Sequence, residues 1–375
     1  MSEAPPVATP SGDGPSAPRR WARRAARAGG AALALLLLYL LAWPTPLEPV
    51  AWTPPPCPPR APNQALAAAE PIGVGQLLGP ESLAFDSRGR LHAGLADGRI
   101  VRLSALDAAP ETVASTGGRP LGLAFGAADR LFVADAERGL LEVSPAGEVR
   151  VRVAEVSGQP LRFANGVAVG RDGTVYFTSS STRFGLDESL LVILEHAPDG
   201  RLLALAPGAD AARVLLEGLT FANGVAVAAD QRAVFVAEMG KYRVQRYWLA
   251  GPRAGSAEVF VEGLGGFPDG LAARPDGGLW VALPAARSPL VDGMLPRPFL
   301  RRVVSRLPRA LLSGGGTEAW LLGLDAAGRV THDLQDQGPQ ACGPVASVTE
   351  REGYLYLGSL GRAQCARLRV PPERP

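Results

Sequence analysis

The chain has 375 residues, 47% of them hydrophobic and 20% charged, with 45 Gly and 35 Pro. That is a globular, turn-rich composition favouring many short strands over long helices. The formal net charge is +2, and residues 1–48, with five arginines against three acids, account for it. The neutral body excludes a nucleic-acid surface, which needs a clustered basic face.

In chain order, residues 1–24 read as a disordered basic tail, Pro-, Ser- and Gly-rich up to Arg19 and then RRWARRAAR. The apolar run that follows gives a transmembrane anchor over 25–43, with Arg27 snorkelling at its start. Pro44 and Pro46 stand where a signal peptidase would need small residues, which favours an uncleaved anchor over a signal peptide. The basic flank places the amino terminus in the cytoplasm and the body on the exported side, periplasmic or otherwise extracytoplasmic. Residues 44–66 form a Pro-rich stalk expected to lift the body off the membrane. An exported body permits a disulfide among Cys57, Cys342 and Cys365, with Cys342–Cys365 and Cys57–Cys365 both open.

Over 67–372 one short motif recurs six times: ESLAF (81–85), LGLAF (121–125), NGVAV (165–169), NGVAV (223–227), DGLAA (269–273) and GPVAS (343–347). A turn and a second strand follow each copy, with pairs such as Asp172-Gly173 between the strands. Four strands per unit at this repeat length predict a six-bladed β-propeller, all-β apart from the anchor. Residues near Ile72–Leu78 are expected to add an outer strand to the last blade and close the ring.

In a propeller the first strand of each blade lines the axis, so the residues that open the motif form a ring. They are Glu81, Leu121, Asn165, Asn223, Asp269 and Gly343. Four of them carry side-chain oxygens. Glu81, Asn165, Asn223 and Asp269 together suit Ca2+, which would relieve the repulsion between the two carboxylates. The plainer reading makes Asn-Gly and Asp-Gly simple turn pairs. Asp135 and Glu238, ending second strands, are read as caps of the following turns, and His92 as structural. Scattered histidines make a zinc site improbable, and a serine-hydrolase elbow is absent.

The long fifth interval carries PRPFLRRVVSRLPRALL (296–312), with Phe299, Leu300, Val303, Val304, Leu307 and Leu311 at helical spacing. The expectation is a helix docked on the propeller by its apolar stripe. The other readings are a lid over the axis or a helix lying on a membrane surface.

FANGVAV (221–227), YFTSSSTRF (176–184), the stretch VQRYWLAGPRAGSAEVFVEGLGGFPDG (244–270) and EREGYLYLGSL (350–360) resemble strictosidine synthase-like proteins, in particular their membrane-anchored branch. The likeness covers roughly residues 70–370. It implies a six-bladed propeller related to gluconolactonases and paraoxonases, with a metal held by Glu, Asn and Asp at the positions of Glu81, Asn165, Asn223 and Asp269. True strictosidine synthases use a glutamate just before the second strand of the last blade. Residues 338–349 contain no acid, so amine–aldehyde condensation is not expected. The position matching the paraoxonase histidine is Leu121, and the family's Asp in an FTD-like motif is Ser179, at the expected pocket rim. The expected function is calcium-dependent hydrolysis of an ester or lactone, with an apolar small-molecule substrate and Asp269 as metal ligand and base. The alternative is a non-catalytic binding propeller that calcium stabilises.

Overall fold

The computed structural model describes residue 4 and residues 17–312, 318–338 and 342–373. Six four-stranded antiparallel sheets form the blades of a β-propeller. The innermost strands are Leu83–Phe85, Pro120–Phe125, Ala164–Val169, Ala222–Val227, Leu271–Ala273 and Ser347–Arg351. Each blade alternates inward-packing apolar positions with turn chemistry, so the core is a ring of clusters between neighbouring blades.

The expected ring closure is present, somewhat shorter than the stretch suggested. Strand Glu70–Ile72 pairs antiparallel with Cys365–Arg369 as the outer strand of the sixth blade. Ile72 and Cys365 face each other in register and are both buried. Burying Ile72 supplies roughly 1.5–3 kcal/mol toward joining the two ends of the chain. All three cysteines are free thiols, with Cys57 exposed and Cys365 buried. Neither disulfide is formed.

Three expectations outside the blades are revised. Helix α1 spans Ala17–Ala42, so residues 17–24 are helical where a disordered tail was expected. Arginine and alanine are strong helix formers, and extending an existing helix is cheap. The rest of the tail, apart from residue 4, lies outside the described residues. The window Trp21–Ala42 of α1 is long and apolar enough to cross a membrane, and none of it is buried against the body.

The Pro-rich segment does not stand off the body. It is strapped to it. Leu47 is buried, the Val50 amide donates to Glu195 O at 2.8 Å, and Trp52 stacks on His196 at 4.8 Å. Further along, Asn63 Nδ2 donates to Asp333 O at 3.1 Å. Extended proline-rich backbone leaves its carbonyls unpaired, and arginines of the body take them. Arg183 donates to Pro46 O at 2.8 Å and Arg287 to Pro55 O at 2.7 Å.

The fifth-interval insertion is not one docked amphipathic helix. It is two short helices, α3 (Pro289–Met294) and α4 (Pro298–Val304), with a single 3-10 turn at Arg309–Leu311 after Pro308. A third short helix, α2 (Ser189–Glu195) in the third blade, packs against α4. The anchoring group is Arg301, which is 1% exposed. Its guanidinium donates to Leu194 O at 2.9 Å and Val50 O at 2.6 Å. The stripe residues Phe299 and Leu311 point outward instead, 61% and 73% exposed.

Candidate metal centre on the propeller axis

The six inner strands begin around a cavity of about 90 Å³. Glu81, Leu121, Asn165, Asn223 and Asp269 line it, as the motif position requires. The sixth lining residue is Ala346, three residues beyond Gly343. Strand register gives the reason. In blades one to five the motif alanine faces the aromatic residue of the next strand, as Ala84 faces His92, Ala226 faces Phe235 and Ala272 faces Trp280. In the sixth blade the matching aromatic, Tyr356, faces Thr349. GPVAS imitates the motif, but the copy that occupies the axis is ASVT.

The glycines after the opening residues are not turn residues. Gly166, Gly224 and Gly270 lack positive φ angles. They are small because the next blade comes too close. A Cβ on Gly166 would lie 2.7 Å from Asn223 O, and one on Gly270 would lie 2.7 Å from Ala346 O. Gly224 likewise abuts Asp269 O, while Ser347 Oγ donates to Glu81 O. Backbone of one blade therefore rests on backbone of the next, which holds the opening side chains in one ring. Register shifts at Ala164/Val167 and Ala222/Val225 mark bulges where Asn165 and Asn223 sit. Such bulges re-aim a side chain.

Supporting polar groups were not evident in the sequence. Asn165 Nδ2 donates to Ser180 Oγ at 3.0 Å, and Ser180 Oγ donates to Ala222 O at 2.7 Å. Thr178 Oγ1 donates to Asn223 O at 2.6 Å and accepts from the Gly166 amide at 2.8 Å. With Nδ2 of Asn165 committed, its carbonyl oxygen is the group left for the axis. The TSSS run was the only signal for these hydroxyls. Ser179 itself is fully buried in the second strand of blade three and does not form the pocket rim.

Both carboxylates are buried, Glu81 at 5% exposure and Asp269 at 3%. Burial raises Glu81 to about 7, opposed by the charge of Arg119, whose guanidinium is 3.9 Å away. Asp269 rises well above the ordinary carboxylate range, through burial first and then the charge of Glu81, while a hydrogen bond from Asn223 opposes the rise. Glu81 Oε2 is buried without a hydrogen-bond partner. An orphaned carboxylate oxygen beside a second buried acid is the environment that a hard divalent cation relieves. Among the described residues no cluster of three or more His, Cys, Asp or Glu has metal-ligating geometry. The axial set offers two carboxylates and two amides.

The other acids are structural. Asp135 Oδ1 accepts from the amides of Arg119, Glu137 and Arg138 at 3.0–3.1 Å. Glu238 does not cap the turn that follows it, as the sequence suggested; its buried carboxylate instead accepts from the Thr220 amide, Arg243 and Gln245. His92 is buried edge-on against Phe125, with Nδ1 3.1 Å from Arg90 O. Beside the ring lies an apolar cluster that includes Leu121, Phe163, Phe221, Met239 and Leu47, with Val304 of α4 packed against it.

The architecture and this axial arrangement define a six-bladed propeller with an oxygen-lined axial site. Residues 165–252 match the family model for strictosidine synthase, and residues 59–103 that for the strictosidine synthase-like N-terminal region. The bovine adipocyte plasma membrane-associated protein is 34% identical over 359 residues, covering 89% of this chain and 86% of its own. Strictosidine synthase-like 6 of Arabidopsis thaliana is 33% identical over 323 residues, covering 83% and 84%. The chain belongs to the strictosidine synthase-like family. Its fold is also that of a gluconolactonase from Xanthomonas campestris (TM-score 0.59, 19% identity, 87% of this chain and 99% of that one). A calcium-binding regucalcin from Agrobacterium tumefaciens is similar too (TM-score 0.57, 15% identity, 80% and 93%).

Proposed function

We propose that the protein is a membrane-anchored, calcium-dependent hydrolase of apolar esters or lactones. The observation that carries this reading is the pair of buried carboxylates, Glu81 and Asp269, sharing one cavity with the amides of Asn165 and Asn223. Those four residues would hold the ion. When bound, calcium supplies electrophilic polarisation of a carbonyl and stabilisation of the oxyanion. Arg119 opposes the protonation of Glu81 that burial favours, and Ser180 and Thr178 hold the two asparagine-bearing strands in place. Asp269 would accept the proton of the attacking water. The apolar cluster around Leu121, Phe163 and Phe221 suits a substrate whose non-reacting part is hydrocarbon. The gluconolactonase similarity supports lactone chemistry on this fold. Helix α1 would be the anchor, with its basic amino-terminal end in the cytoplasm and the propeller on the other side.

A second reading, a propeller that calcium only stabilises, is favoured by one feature. Four of the six ring positions, Leu121, Asn165, Asn223 and Ala346, carry no group able to move a proton, and the other two are the carboxylates that would hold the ion. Turnover of phenyl acetate and of simple lactones by the full-length protein in detergent separates the two. The hydrolase reading expects activity that is lost with chelator, restored by calcium and abolished in Asp269→Asn. Calcium-dependent thermal stabilisation without turnover would establish the second reading. If calcium and chelator leave both activity and melting unchanged, neither reading holds.

A further inference from the structure

The blade-five insertion leaves apolar side chains in solvent at one particular place. Leu290 of α3, Phe299 of α4 and Leu311 of the 3-10 turn are 72%, 61% and 73% exposed, and Leu300 is 38% exposed. Arg297, Arg302 and Arg309 are exposed among them, and residues 293–317 contain no acid. This is the composition of an interfacial segment, with apolar anchors interleaved with cations.

The position of the segment identifies what covers it. Its carboxyl end is bonded directly to the end of α1. Arg306 donates to Leu40 O at 2.8 Å and to Trp43 O at 2.7 Å, and Tyr39 Oη donates to Arg306 O at 2.9 Å. Thr45 Oγ1 and Ser305 Oγ are 3.1 Å apart. The insertion therefore sits within about one helical turn of the point where α1 ends its apolar window. On the other side Arg301 bolts α4 to the third-blade helix and to the strap at Val50. The exposed residues belong to a braced surface rather than to a free loop.

We propose that the α3–α4 insertion is a lipid-contacting platform. It seats the propeller on an anionic bilayer surface at the exit of α1, with Leu290, Phe299 and Leu311 entering the acyl boundary and Arg297, Arg302 and Arg309 meeting headgroup phosphates. This rests on the reading of α1 as a membrane anchor. The insertion joins the second and third strands of its blade, so it lies on the face where the inner strands begin. That is the face on which the axial cavity is ringed by Glu81 and Asp269, and Val304 of α4 packs into the adjoining apolar cluster. The platform thus sets the cavity close to the lipid.

The test uses full-length protein, one molecule per nanodisc, in phosphatidylcholine alone and with added phosphatidylserine. In a Cys57→Ser background, spin labels are placed singly at Leu290→Cys, Phe299→Cys and Leu311→Cys. Leu36→Cys serves as an anchor reference and Arg88→Cys as a reference on the opposite face. The readout is accessibility to oxygen against a water-soluble nickel chelate. The platform predicts a severalfold higher oxygen-to-nickel ratio at 290, 299 and 311 than at 88, increasing when phosphatidylserine is present. Ratios equal to that at 88 with Leu36 buried in lipid would overturn the platform and leave the anchor standing. A water-exposed Leu36 label would overturn the anchor and the platform together. Label–label coupling between two copies in a larger disc, with no lipid contact in the single-molecule disc, would assign the patch to self-association and also overturn the proposal.

Discussion

The sharpest consequence of the axial geometry is an opposition between protons and calcium at Glu81. The folded protein raises this carboxyl from 4.5 to about 7 because burial disfavours its charge. Below 4.5 Glu81 is protonated in both folded and unfolded chains and costs nothing. Between 4.5 and about 7 the unfolded chain releases the proton while the folded one holds it, so stability without metal falls as pH rises. Above about 7 the loss is complete and amounts to about 3 kcal/mol. For a domain of this size that is a fall in Tm on the order of 6 °C. Asp269 shifts in the same direction and adds to the trend. The assay is thermal melting of the full-length protein at pH 5 and pH 8, with chelator or with calcium, for wild type and Glu81→Gln. In chelator the variant should match wild type at pH 5. At pH 8 it should melt higher, by less than the full amount because Arg119 loses its ion-pair partner. Calcium should stabilise wild type more at pH 8 than at pH 5 and leave the variant almost unmoved. A wild type in chelator whose difference from Glu81→Gln is the same at both pH values would refute the reasoning.

Three further outcomes test the scaffold around the site. Gly166→Ala puts a methyl 2.7 Å from Asn223 O, so it should cost about 1–3 kcal/mol and weaken calcium binding by calorimetry. A distant glycine such as Gly208, with open space around it, should leave binding unchanged when substituted. Arg301→Leu strips hydrogen bonds from Leu194 O, Glu195 O and Val50 O. It should cost about 3 kcal/mol and make residues 44–63 markedly more sensitive to limited proteolysis. Ile72→Ala should lower stability by about 2–4 kcal/mol through the ring closure, and an unchanged melt would show that strand Glu70–Ile72 does not hold the ring.

The hairpin repeat was legible in the sequence because each blade must bury a short apolar strand and turn back within a few residues. Five of the six axial positions were legible for the same reason, since the opening residue stands three residues before the motif alanine in each copy. The sixth was not. GPVAS copies the motif without its register, and only the pairing of Thr349 with Tyr356 shows that Ala346 reaches the axis. The glycines illustrate the same limit: sequence marks them as small, while the backbone of the neighbouring blade supplies the reason. The fates of the proline-rich segment and of residues 296–312 were set by long-range contacts that leave no periodic trace. A single buried arginine, Arg301, joins strap, third-blade helix and insertion, and frees Phe299 and Leu311 to face outward. Local pattern determines which segments form strands and which side chains carry oxygen. Which of those oxygens meet, and which apolar groups remain outside, depends on partners hundreds of residues apart, and so only the tertiary structure decided it.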